Sequence, residues 1–279
     1  MNSDRRASGR GATHAVAGHV ARKRFGQHFL ADRSVLAAIV QAIDPREGDA
    51  VLEIGPGLGV LTAELLRRLP RLSAVEIDRD LCRRLRERFD GSRLALFEAD
   101  ALDFDVRTVL PESDARRLRI VGNLPYNISS PLLIALLHAR DRVCDQHFLL
   151  QKEVVARVVA RPSTSDYGRL SVLMQAFYDT DLLFEVGPDA FDPPPRVDSA
   201  VLRMITRPTP LISDPAPLQA VLAAAFAQRR KMIRSTLIPW LEQQGVDASG
   251  LPGDWRAEQI DVARYCELAT ALAAIRRAQ

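Results

Sequence analysis

The chain of 279 residues is poor in cysteine, in metal-ligand spacings and in net charge, and each shortage closes off a class of function. Its three cysteines, Cys82, Cys144 and Cys266, are an odd number with no C-x-x-C pair. They support neither a disulfide framework nor a cysteine zinc site, and they fit a reducing compartment. His138 and His147 stand at no ligand spacing from other His, Cys or carboxylates, so no metal is expected. No apolar run approaches the ~18 to 20 residues that a bilayer crossing requires, and the N-terminal stretch lacks the apolar core of a secretory signal. A soluble, cytoplasmic protein without membrane contact is expected. Thirty-eight Lys plus Arg against thirty-five Asp plus Glu leave only +3, so bulk charge names no partner and local clustering has to.

What is present argues for a large folded chain. A hydrophobic share of 47% with 26% charged residues excludes disorder as the main state. A chain of this length buries roughly three-quarters of its unfolded surface in one large domain or two unequal ones. Residues 1–24 carry Ala, Gly, Arg and His, a single acid, Asp4, and after Met1 only Val16 and Val20 as larger apolar side chains. Such a segment has nothing to pack with, and a mobile basic tail is expected over 1–21. An organellar transit peptide is the alternative, but no clear amphipathic helix accompanies the arginines.

From Asp32 onward, helical patterns alternate with short β-rich runs. An Asp-capped helix over 34–43 stops at Pro45, and strands are expected over 50–54, 73–77, 94–99, 119–121 and 147–150. Leu58, Leu61, Leu65 and Leu69 form one apolar helical stripe suited to a sheet face. Strands separated by helices imply parallel pairing, hence a doubly wound α/β layer structure. Past Ser171 the rhythm changes: runs over 182–186 and 200–205, joined by a loop over 189–198, read as an antiparallel pair at one edge. After Arg207-Pro208-Thr209-Pro210, patterns over 216–227, 231–240 and 262–276 are all helical. A sheet domain over 22–207 and a small α-helical C-terminal domain over 208–279 follow.

Glu53-Ile54-Gly55-Pro56-Gly57-Leu58-Gly59 lies where the first strand meets a helix, the place where glycines let a ligand approach the backbone and a helix N-terminus. A bare strand-to-helix turn would explain the glycines alone. Glu76 and Asp100, at the ends of the next two strands, add acids along the same carboxyl edge, where ligands of open α/β sheets bind. Glu76 suits the two hydroxyls of a ribose, and Asp100 an adenine amino group. The glycines run G-x-G-x-G rather than G-x-G-x-x-G. The Glu53 carboxylate ahead of them would repel a pyrophosphate but not a sulfonium. S-adenosylmethionine therefore outranks NAD.

After the fourth strand comes Asn123-Leu124-Pro125-Tyr126, again at the carboxyl edge. The exocyclic amine of adenine is a poor nucleophile because its lone pair is delocalised into the ring. Two oxygen acceptors, the Asn123 side chain and the Leu124 carbonyl, would draw that nitrogen toward tetrahedral geometry. Pro125 holds the loop extended, and Tyr126 would stack on the base, a contact of ~1 to 3 kcal/mol. Phe191, ahead of Pro193-Pro194-Pro195 in a stiff loop, is expected on the opposite face of the adenine. The plain alternatives are a Tyr126 capping the sheet and a Phe191 plugging the seam between domains.

With these residues in hand, the sequence closely resembles the KsgA/RsmA family of small-subunit ribosomal RNA adenine dimethyltransferases. The likeness runs from about Gly18 to Arg276. It is carried by Arg22-Lys23-Arg24-Phe25-Gly26-Gln27, by residues 53–57, Val75-Glu76-Ile77-Asp78, Asp100-Ala101 and residues 122–130. Leu150-Gln151-Lys152-Glu153-Val154-Val155, Tyr167-Gly168-Arg169-Leu170-Ser171-Val172, residues 195–201 and residues 225–234 complete it, in that order. The resemblance implies a Rossmann-like class I methyltransferase sheet, mostly parallel with an antiparallel edge. It implies dimethylation at N6 of two adjacent adenosines near the 3′ end of 16S rRNA, on an assembling 30S subunit, by an expected monomer. It also implies S-adenosylmethionine contacts at His28, Leu30, Gly55, Glu76, Asp100 and Asn123, and Gly57 of the glycine loop is expected beside them. The family pattern usually has Asn where this chain has His28, which changes the chemistry of that contact.

Arg22, Lys23 and Arg24 precede the donor site, and Arg229, Arg230, Lys231 and Arg234 fall in the C-terminal region; both clusters are expected to attract RNA phosphates. On a continuous helix Arg230 would share a side with Phe226, Ile233 and Leu237, so either the helix breaks near Gln228 or Arg230 meets a buried acid. The other arginine runs, over 83–88 and 116–119, read as solvated faces. Three other functions compete with the leading one. A 23S rRNA methyltransferase is disfavoured by the long helical tail and the late Pro-rich motif. An assembly factor that mainly binds 30S particles is compatible with it, and an NAD-linked oxidoreductase lacks a Tyr-x-x-x-Lys or His pair.

Overall fold

The computed structural model describes residues 15–16, 19–20 and 28–278. Of the expected tail, β1 (Ala15–Val16) and β2 (His19–Val20) pair antiparallel. The remainder, with Arg22, Lys23 and Arg24, lies outside the described residues. Next come β3 (Phe29–Leu30) and α1 (Arg33–Ile43), where the Asp32 carboxylate caps the helix by accepting from the N–H groups of Ser34 and Val35. Such a cap contributes about 1 kcal/mol. The helix closes on Asp44, which takes up left-handed backbone just before Pro45.

The sheet begins with β4 (Ala50–Ile54), α2 (Val60–Leu65), β5 (Leu72–Glu76), α3 (Arg79–Arg88), β6 (Leu94–Glu98) and β7 (Leu118–Asn123). It continues through α4 (Ser129–Leu136), β8 (Val143–Gln151), α5 (Lys152–Val159), α6 (Arg169–Gln175), β9 (Tyr178–Val186), β10 (Phe191–Asp192) and β11 (Ser199–Thr206). The strand order is β6-β5-β4-β7-β8-β11-β9. The first five are mutually parallel, and β11 runs antiparallel to both β8 and β9. The antiparallel pair expected at one edge is therefore β9 with β11. The loop between them contains β10, which pairs with β3 rather than with the main sheet.

Successive residues of each strand split between two faces, as a pleated strand requires. Leu52, Ile120, Phe148, Leu150 and Leu202 enter one core, while Val51, Val121, Leu149 and Val201 enter the other with α1 and α2. Leu61, Leu65 and Leu69 of the expected stripe are buried in that second core. The C-terminal helices are α7 (Pro215–Ala225), α8 (Leu237–Gln243) and α9 (Val262–Ala278). Leu218, Leu222, Leu237, Tyr265 and Leu272 from these helices join the first core, which runs without a break from the sheet into the helical region.

The helix expected over 231–240 starts late. Helix α7 closes at Phe226, residues 227–232 are all exposed, and a 3-10 turn at Ile233–Ser235 precedes α8. The chain thus breaks near Gln228. Arg230 stays in solvent, since carrying it around a continuous helix would have buried a guanidinium.

Candidate active site

Neighbouring β4 and β7 form the point where the strand order reverses, because β5 extends the sheet on one side of them and β8 on the other. The glycine loop leaves β4 and the Asn-Leu-Pro-Tyr segment leaves β7, so both open into the crevice that such a reversal creates. Gly55, Gly57 and Gly59 all take positive φ, which glycine adopts without strain. Gly122 serves a different need: a Cβ there would stand 2.4 Å from the Ile54 carbonyl oxygen, so only glycine lets β7 pass β4 this closely.

A cavity of about 250 Å³ fills the crevice. Its lining brings together His28, Leu30, Gly55, Gly57, Glu76, Asp100, Asn123, Leu124 and Tyr126. Glu76, buried at the end of β5, accepts from the Gly57 N–H at 3.1 Å through Oε2 and from the Asp78 N–H at 2.9 Å through Oε1. The acid thereby braces the glycine loop and keeps lone pairs for a ligand. Burial raises its pKa, and those two N–H groups oppose the rise. Asp100 accepts from the Leu102 N–H at 2.9 Å, two residues past β6.

Glu53 departs from the charge argument made for it. It is fully buried, takes a 2.6 Å hydrogen bond from the Thr62 hydroxyl, and burial pushes its pKa up to about 7. Its repulsion of a pyrophosphate is accordingly only partial near neutrality. Thr62, buried on α2, is a site residue that the sequence reading missed; its one signal is lying nine positions after Glu53, on the helix facing that strand.

Asn123, the last residue of β7, donates from Nδ2 to the His28 carbonyl oxygen at 3.0 Å. Among the described residues nothing donates to Asn123 Oδ1 or to the Leu124 carbonyl, which leaves an acceptor on each of two consecutive residues. The Tyr126 hydroxyl lies 2.8 Å from Ser199 Oγ, and burial raises its pKa, so it stays a neutral phenol. The His28 side chain lines the same cavity; its Nδ1 lies 2.8 Å from the Pro193 carbonyl oxygen and its ring stacks on Tyr126. Phe191 is not brought to the cavity. The Phe191 to Leu30 register places it in β10, and its ring is buried in the second core with Val186, Ala190 and Val201.

In the helical region, Arg229 is tied down. It pairs with Glu258 at 2.8 Å and donates to the carbonyls of Ser165 and Tyr167. Arg230, Lys231 and Arg234 are exposed and make no ion pair among the described residues. Next to them the fold places two side chains absent from the sequence reading. Met232 bridges to Arg256, and the Ile233 N–H donates to the Trp255 carbonyl at 2.7 Å. Met232 and Trp255 are 39% and 38% exposed, beside these cations and one neighbouring acid, Asp254. No sequence period could have signalled this, because Met232 and Trp255 are separated by 22 residues of helix and turn.

Among the described residues there is no cluster of metal-ligating side chains and no helix long and apolar enough to cross a membrane.

A mostly parallel sheet, with an acid-braced glycine loop and an Asn-Leu-Pro-Tyr segment meeting at its reversal point, defines a Rossmann-like class I methyltransferase. The chain belongs to the ribosomal RNA adenine dimethylase family, whose model matches residues 18–274. Among curated relatives, ribosomal RNA small subunit methyltransferase A of Bordetella avium is 54% identical, covering 92% of this chain and 97% of its own. The protein of the same name from Burkholderia multivorans is 53% identical, with coverages of 94% and 97%. Among solved structures, a dimethyladenosine transferase from Plasmodium falciparum shares the fold, with a TM-score of 0.74 at 23% identity and coverages of 89% and 98%. The 23S rRNA methyltransferase ErmE follows with a TM-score of 0.64, 26% identity and coverages of 88% and 99%.

Proposed function

We propose that this chain is the enzyme that dimethylates N6 of two adjacent adenosines in the 3′-terminal helix loop of 16S rRNA. It acts as a monomer in the cytoplasm, on the assembling 30S subunit, with S-adenosylmethionine as donor. The observation that carries the reading is the pair of acceptors, Asn123 Oδ1 and the Leu124 carbonyl, without a donor among the described residues and on residues that line a cavity with Glu76. Family membership and the small-subunit name of relatives that span almost the whole chain support the choice of RNA.

The cavity residues fit the donor: Glu76 has lone pairs for ribose hydroxyls, Asp100 an oxygen for the adenine amine, and the glycine loop an open backbone. S-adenosylmethionine, when bound, supplies a methyl group made electrophilic by its sulfonium. The chain's own part is to shape the nucleophile. Asn123 and Leu124 each accept one N–H of the target amine, which withdraws its lone pair from the purine ring and points it across the rim. The methylated nitrogen gives its proton up to solvent, so no side chain need be a strong base. Tyr126 supplies a ring for the base to stack on. Residues 22–207 form the catalytic part in this reading. Residues 208–279 present Arg230, Lys231 and Arg234 to phosphates, with Trp255 available to stack on an unpaired nucleotide.

Incubation with labelled S-adenosylmethionine and undermethylated 30S particles tests the reading. Two methyl groups on each of two adjacent adenines of 16S rRNA are expected. Incorporation confined to 23S rRNA, or binding to 30S particles without any methyl transfer, overturns it.

A further inference from the structure

Three contacts converge on the Tyr126 ring and the loop beside it. The Tyr126 hydroxyl meets Ser199 Oγ at 2.8 Å, the His28 ring lies 5.5 Å from the Tyr126 ring centre at 25° from parallel, and His28 Nδ1 lies 2.8 Å from the Pro193 oxygen. The two His28 contacts follow from the small β3–β10 ladder. Its register pairs Phe29 with Asp192, so His28 just before one strand and Pro193 just after the other face each other. A carbonyl oxygen only accepts, so Nδ1 carries the hydrogen, and the tautomer and rotation of the imidazole are both set. Ser199 is fully buried and opens β11, laddered on one side to Gln151 and on the other to Val186. Its hydroxyl is therefore held by two neighbouring strands. The phenol of Tyr126 is fixed at its oxygen by the sheet and across one ring face by the β3–β10 ladder.

We propose that His28 and Ser199 are positioning residues that set the Tyr126 ring as a platform for the target adenine, the imidazole covering one face and leaving the other to the base. The inference rests on the adenine-methylation reading above, and it gives the His28 side chain a task toward the base. A ring already held in place has less rotational freedom to lose when a nucleobase arrives, so the holding groups act on RNA engagement and turnover.

The test compares His28→Ala, His28→Phe and Ser199→Ala in the full chain. His28→Ala is expected to raise the KM for 30S substrate or lower kcat by about 2- to 10-fold, the range of one aromatic-pair contact, at saturating donor. His28→Phe keeps a stacking ring and is expected to recover most of that loss. Ser199→Ala is expected to act only through the phenol, so in a Tyr126→Phe background it has no further effect on either parameter. The ring resonances of Tyr126, assigned by their loss in Tyr126→Phe, are expected to move in His28→Ala with neither donor nor RNA present. That readout holds whether or not the protein methylates 16S rRNA. A donor affinity weakened tenfold or more in His28→Ala with RNA parameters unchanged returns His28 to the donor and overturns the proposal. Unmoved Tyr126 resonances, or a Ser199→Ala effect that persists without the phenol, overturn it as well.

Discussion

The side-chain amide of Asn123 is oriented by the backbone of His28: Nδ2 donates to the His28 carbonyl oxygen across 3.0 Å, ninety-five residues apart in the chain. Because that oxygen can only accept, the amide cannot turn over, and Oδ1 is the atom left for a substrate amine. The residue that the resemblance places at the donor thus serves the nucleophile through its main chain. Its side-chain identity is free to differ from the family's usual Asn without disturbing this bond.

Asn123→Ala removes one of two acceptors from the target amine and leaves the fold intact, since the lost hydrogen bond lies at a half-buried rim. Loss of one such preorganised group lowers kcat by about 10²- to 10³-fold. Binding to 30S particles, measured by filter retention, is expected to persist. Asn123→Asp is the sharper variant, for it sets a carboxylate oxygen against the His28 carbonyl and is expected to lose activity at least as completely as Ala.

Glu53 makes stability depend on pH. Burial lifts it from the ordinary 4.5 to about 7, so the folded chain holds a proton that the unfolded chain releases between those values. The resulting stabilisation is fully present below about 4.5 and is lost as pH rises through about 7, and the gap corresponds to on the order of 3 kcal/mol. Glu53→Gln cannot ionise and keeps an oxygen for the Thr62 hydroxyl. Urea unfolding at pH 5 and pH 8.5 is expected to show the variant gaining on the native protein at the higher pH. A difference that does not change with pH sinks the claim.

How far the sequence could be read depended on how strongly each strand advertised itself. Residues 50–54 are a short β run between Asp49 and Gly55, and β4 has those bounds. The strand expected over 73–77 slides by one, to Leu72–Glu76, because Leu72 is buried while Ile77 turns out to be 43% exposed. Strand β8 extends back to Val143 through Cys144, Asp145 and Gln146, polar residues that no apolar pattern reveals. Asp145 there pairs with Arg119, the first residue of the strand expected over 119–121, and β7 runs further both ways, from Leu118 to Asn123. The glycine loop, the strand-end acids and the tetrapeptide were legible because their chemistry is local. The places of His28, Ser199, Thr62, Phe191 and Trp255 depend on ladders and helix turns that bring distant segments together, and no spacing encodes those.

The exposed strip of the helical region separates stacking from charge. Trp255→Ala removes a ring that is 38% exposed and is expected to leave the melting temperature within about 2 °C while weakening 30S binding by about 5- to 100-fold, the value of one stacked base. Arg230→Ala and Lys231→Ala should each reduce the slope of log K against log salt by about 1. Arg229→Ala is expected to differ from both. Its guanidinium is held by Glu258 and two carbonyls, so its loss should appear in thermal stability with little change in the salt slope.

Glu76→Gln is close to isosteric yet is expected to be costly. Both Glu76 oxygens accept backbone N–H groups, Oε1 from Asp78 and Oε2 from Gly57. A glutamine has one oxygen, so its NH₂ must oppose one of those N–H groups in a buried setting. A donor facing a donor there leaves an unsatisfied group worth about 1 to 3 kcal/mol, and either outcome harms the site: the glycine loop loses its brace, or the strand end at Asp78 loosens. The same carboxylate is the proposed holder of the ribose hydroxyls, so the loss adds to the missing charge. Calorimetry with S-adenosylmethionine is expected to show affinity falling by about 10- to 100-fold, at roughly 1.4 kcal/mol per tenfold, with 30S binding unchanged. Native donor affinity in Glu76→Gln would remove both the brace and the ribose contact from the account of this site.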